Sequence, residues 1–118
     1  MERRLLAERV LSFAECARQV CRSLEYIKDS DTAKQLKRAS TAIGAAVYEA
    51  QYAESIDDFI HKMKIAFKEA NEAKFWMMYA HGMVPITKET QDELEIIQKI
   101  LNKSIATAIK RRKLQGKR

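Results

Sequence analysis

The chain has 118 residues, with 22 Lys and Arg against 16 Asp and Glu, for a formal net charge of +6. Three Gly, one Pro and two Cys are too few for a turn-rich β fold or a disulfide framework. No apolar run approaches the ~20 residues of a membrane span, and Met1 is followed by Glu2, Arg3 and Arg4 rather than a leader-like apolar stretch, so a cytoplasmic protein is expected.

Helix one is expected over about residues 3–28. Leu6, Val10, Phe13, Ala17, Val20, Leu24 and Ile27 step alternately by four and three, which holds one apolar stripe on one face. "KDSD" (28–31) breaks it, and Ser30 or Asp31 can cap the next helix. Helix two follows over about 32–53, with the stripe Leu36, Ala39, Ile43, Ala46, Ala50 and Ala53. Its small residues allow close approach, and Gly44, which costs ~1 kcal/mol relative to Ala in a helix, points the same way unless it is a tolerated defect.

"ESIDDF" (54–59) reads as a helix start, with Ser55 as N-cap and Asp58 three residues on. Helix three, about 56–81, has the stripe Phe59, Met63, Ala66, Ala70, Ala73, Met77 and Ala80. Gly82 can take the left-handed conformation beyond its end, and Pro85 stops continuation. Thr87 is the expected cap of helix four, about 88–112, whose core face is Leu94, Ile97, Leu101, Ile105 and Ala108. Four such helices joined by short turns specify an all-α, antiparallel up-down-up-down four-helix bundle over 1–109, followed by a basic tail at 110–118.

Several large apolar side chains fit no single core. In "KFWMMY" (74–79), Met77 belongs to the core stripe, which turns Phe75 and Tyr79 about 160° away and Trp76 roughly 100° away. On helix two, Tyr48 and Tyr52 lie opposite Ile43 and Ala50. On helix four, Ile96, Ile100 and Ile109 widen the apolar arc to about 220°. Aromatic and apolar residues beyond the needs of one core mark a contact surface, so Tyr48, Tyr52, Phe75, Trp76, Tyr79, Ile96 and Ile100 are the expected subunit interface. Cover by a neighbouring helix or by the 82–87 turn is the alternative.

The segment 36–76 carries a more specific pattern. Leu36–Ser40 form an "LKRAS" turn. Ile43, Ala45, Glu49 and Ala50 follow, then Ser55, Asp58 and Phe59, then Ile65, Ala66, Lys68, Glu69, Ala70 and Glu72, and the aromatic pair Phe75 and Trp76. This resembles the four-helix-bundle family named after proteins encoded in intervening sequences of bacterial large-subunit ribosomal RNA. The chain departs from that pattern at Ala46, where the family has Asn. The resemblance implies a ring-like homopentamer. It also implies kinship with the accessory variability protein of diversity-generating retroelements, a basic barrel that binds nucleic acid and a reverse transcriptase.

The charge distribution fits such a role. Lys110, Arg111, Arg112, Lys113, Lys117 and Arg118 are followed or separated by no acid, and the other 109 residues are formally neutral. The expected function is a basic, non-enzymatic scaffold binding RNA or DNA with low sequence selectivity through this tail, with Lys34, Lys37 and Arg38 adding to it. No aromatic is interleaved with the tail, so base stacking there is not expected. A protein-interaction assembly with no nucleic-acid role is the alternative. Enzyme motifs are absent from the sequence: His61 and His81 are the only histidines, and no E-x-x-H pair, phosphate loop or nucleophile motif occurs. No cofactor, metal or catalytic residue is expected. Cys16 and Cys21 fit no zinc or redox spacing and are expected as buried thiols. Glu49, among small apolar residues, is expected in a buried or interface salt bridge, with Arg38 as a candidate partner.

Overall fold

The computed structural model describes the backbone of residues 2–116 and the side chains of residues 5–116. It consists of four helices, α1 (Glu2–Tyr26), α2 (Ser30–Ala50), α3 (Ile56–Ala80) and α4 (Lys88–Gly116). Each packs on its two neighbours, α1 on α2, α2 on α3, α3 on α4 and α4 back on α1, in a bundle 58 Å long. The α2–α3 seam is the most extensive and the α1–α4 seam the least.

The stripes account for the core. Phe13, Leu24, Leu36, Ile43, Met63, Leu94, Ile97 and Leu101 are essentially sealed from solvent. Each large aliphatic residue so buried stabilises the fold by roughly 1.5–3 kcal/mol. Between them Ala39, Ala46 and Ala50 of α2 face a helix equally rich in buried alanine, Ala66, Ala70 and Ala73 of α3. Short side chains on both sides let these two backbones approach, which is why this seam is the most extensive. Cys21, Val47 and Ile60 join the core beside the expected positions.

Two members of the expected stripes fall outside it. Ile27 is half exposed because α1 has already ended at Tyr26. Lys28 takes a positive φ of 70°, and the Asp29 amide reaches back to the Leu24 carbonyl at 2.9 Å while the Lys28 amide bonds Glu25 at 3.0 Å. This is a left-handed helix stop in which lysine stands where glycine is usual. Asp29, rather than Ser30 or Asp31, then caps α2 by accepting the Thr32 amide at 3.1 Å. α2 stops at Ala50, so Ala53 lies in the following turn and is only half buried.

Ser55 caps α3 as expected, accepting the Asp58 amide at 3.0 Å. The Asp58 carboxylate closes the turn onto the Glu54 amide at 3.2 Å. Gly82 has no positive φ. The chain instead leaves α3 through two bonds to the Ala80 carbonyl, from Met83 at 2.9 Å and Val84 at 3.1 Å, and Val84 plugs that end of the core. The Thr87 hydroxyl accepts the Thr90 amide at 3.2 Å and caps α4. A Cβ on Gly44 would meet Val10 Cγ2 at 3.8 Å, an ordinary contact. Gly44 is therefore a tolerated defect and not a point of close approach.

Candidate nucleic-acid interface and apolar surfaces

α4 continues as helix to Gly116, four residues beyond its expected end, so Lys110, Arg111, Arg112 and Lys113 sit on a rigid rod. All four are exposed. Successive residues are 100° apart on a helix, and the two arginines diverge accordingly. Arg112 bonds the Asp57 carboxylate at 3.2 Å at the start of α3. Arg111 instead lines a groove of about 820 Å³ where the end of α2, the start of α3 and the last turns of α4 meet. Lys110, Arg111 and Lys113 have no carboxylate partner among the described residues. Lys117 and Arg118 lie outside the described residues.

The three basic residues of α2 stand elsewhere. Lys34 and Lys37 are exposed in its first turns, whereas the α4 groove touches its last residue, Ala50. Sixteen residues of helix separate Lys34 from Ala50, ~24 Å, so the structure does not bring the α2 cations to the tail. Arg38 is also already committed, bonding Glu69 at 3.2 Å and, more closely, Glu72. The Arg38 guanidinium, then the Trp76 indole at 3.2 Å, holds the Glu72 carboxyl below its usual range. Glu49 pairs with Lys62 at 3.2 Å in the open, not with Arg38 and not in a buried site.

The aromatic residues form two exposed groups on the α2–α3 side. Phe75 and Tyr79 are each 56% exposed, and their rings lie nearly parallel, 6.4 Å apart. Trp76 stands edge-on to both, at 5.0 and 6.0 Å, and is only part-exposed. With Lys34, Asp31 and Gln35 these rings line a second, smaller groove. Tyr48 and Tyr52 pair at 5.6 Å nearer the other end of α2 and are 60% and 71% exposed. Beside them Thr41 turns its hydroxyl inward to the Lys37 carbonyl at 2.8 Å, which leaves its methyl group outward. On α4, Ile96 is exposed and Ile100 half buried. Neither a neighbouring helix nor the 82–87 turn covers Phe75, Tyr79, Tyr48 or Tyr52.

Some exposed apolar residues were not anticipated. Leu11, Tyr26 and Met78 are more than 60% exposed. Met78 lies within the very stretch that drew attention, and an angular reading of α1 would have flagged Leu11. Cys16 is exposed, against expectation, while Cys21 is buried with its thiol on the Ala33 carbonyl at 3.4 Å. Burial first, and Glu25 second, pushes the Cys21 thiol up. His61 and His81 are both exposed. Among the described residues no cluster of His, Cys, Asp and Glu is placed to hold a metal, and no helix is long and apolar enough to cross a membrane.

Fold and surface together define an all-α four-helix-bundle protein with one basic end and an aromatic flank. The sequence profile of the 23S rRNA-intervening sequence protein family matches residues 6–107, and the chain belongs to that family. It is similar to a crystal structure of a protein of unknown function from the S23 ribosomal protein family of Bacteroides thetaiotaomicron. The two are 32% identical with a TM-score of 0.82, over 90% of this chain and 99% of that one. No curated protein matches the chain.

Proposed function

We propose that this protein is a non-enzymatic, homo-oligomeric scaffold that holds RNA or DNA by its phosphates, with little regard to sequence. The observation that carries this reading is the α4 end. Lys110, Arg111 and Lys113 are exposed, without a carboxylate partner among the described residues, and fixed on a helix rather than a loose tail. Point charges of this kind attract the phosphate backbone and release its counterions. Repetition around an oligomer raises their effective concentration on one strand. Association uses the exposed α2–α3 side, where Tyr48, Tyr52, Phe75 and Tyr79 would otherwise remain in water. A pentamer, and a reverse transcriptase as protein partner, are the forms of this assembly that the resemblance implied.

Fluorescence anisotropy of a labelled single strand tests the α4 assignment. Changing Lys110, Arg111 and Lys113 to Gln should weaken RNA and DNA binding alike, by roughly tenfold or more at low salt. The pair Lys34→Gln and Lys37→Gln should cost much less. Unchanged affinity in the triple variant contradicts the assignment. The second reading is an assembly that binds only protein, and the bare aromatic side favours it. It gains if Phe75→Ser with Tyr79→Ser lowers the mass seen by light scattering while no form of the protein binds nucleic acid.

A further inference from the structure

The groove beside Arg111 lies where the bundle is least complete. α1 reaches α4 through Arg9, which grips Glu93 at 2.8 and 3.0 Å in the first two turns of α4. The α1–α4 seam is the smallest of the four. Further along, from Lys103 to Gln115, the described lining comes from α2, α3 and α4 alone. That stretch is ~18 Å, the length of about three helical turns. Ala50, Ala53, Ile56, Phe59 and Ala108 supply an apolar floor, and Lys103 and Arg111 are the charged groups among the described lining residues.

The charge pattern is one-sided. Elsewhere Arg9, Arg38, Lys62, Lys74, Lys88 and Arg112 each hold a carboxylate. Lys103 and Arg111 hold none among the described residues, so the complementary occupant brings its own carboxylates and apolar side chains. We propose that this groove docks an acidic amphipathic helix of about three turns, supplied by another protein. An apolar face laid into such a groove, with its charged edge on a basic rim, is a recurring recognition mode. RNA fits less well, because Phe59 is buried and the floor offers no exposed ring for stacking. A second copy is disfavoured by the like charge of a chain at +6.

The proposal does not depend on nucleic-acid binding. Its test uses the full chain and two labelled helical peptides that share a Leu stripe, one with Glu and one with Lys at every other position, with oligo(U) as a third probe. The Glu peptide should bind and the Lys peptide should not. Lys103→Glu with Arg111→Glu should weaken the Glu peptide by roughly tenfold or more and admit the Lys peptide. Thr107→Trp, at an exposed position on the groove wall, should weaken the Glu peptide with the helical circular dichroism unchanged. The proposal is overturned if the Glu peptide fails to bind the native chain, or if its affinity changes by less than about twofold on charge reversal. It is also overturned if oligo(U) displaces it while losing the same affinity in Thr107→Trp, or if Thr107→Trp changes the oligomer mass, which would make RNA or a second copy the occupant.

Discussion

Arg38, Glu69, Glu72 and Trp76 form the one side-chain network that spans the α2–α3 seam on its outer side. Glu72 is held below its ordinary range in the folded chain. A carboxyl so lowered contributes stability above its unfolded pKa, and loses it as pH falls through the lower, folded value. In Arg38→Ala, the main cause of the shift is removed. Glu72 should then titrate closer to an ordinary glutamate in carbon-detected NMR, and an unchanged titration would contradict the network. Ser40 poses the opposite case. Its hydroxyl is buried with no partner among the described residues, so Ser40→Ala should raise stability by about 1 kcal/mol in urea unfolding. Ser55 and Thr87 were legible as caps because a hydroxyl before an apolar repeat has few other uses. Asp29 was not, because Asp29, Ser30 and Asp31 all have cap chemistry, and only the left-handed Lys28 decides among them.

At the scale of elements, the four stripes were legible because a repeat of threes and fours leaves no other side to bury. The ends were less so. Nothing in Lys113–Gly116 breaks a helix, and α4 runs on through them. Gly82 looked like a left-handed stop, but the two bonds to Ala80 close the turn without one. Gly44 separates packing from propensity. Since a methyl group there meets Val10 at an ordinary distance, Gly44→Ala should stabilise the protein by ~1 kcal/mol. A higher denaturation midpoint with an unchanged urea slope would show it, and a loss of stability would mean that α1 and α2 need the closer approach after all.

Across the whole molecule, the bundle disposes its surface unevenly. Acids and bases pair along the α2–α3 and α3–α4 seams, through Arg38 with Glu72, Lys62 with Glu49, Lys74 with Glu95 and Arg112 with Asp57. The unpaired cations gather at the α4 end, and the bare aromatics on the α2–α3 side. The outward turn of Phe75 and Tyr79 was legible, since it follows from a single angular step per residue. The separation of Lys34 and Lys37 from the tail was not, because it depends on which helix ends meet. The measurement that most directly tests the account is binding of a labelled single-stranded RNA between roughly 50 and 200 mM salt. The intact chain is compared with one ending at Ile109, and both masses are checked by light scattering. The account predicts that the intact chain binds and its affinity falls steeply with salt, while the shortened chain keeps its mass and loses binding. Absence of binding at the lowest salt, or equal binding by both chains, would contradict it.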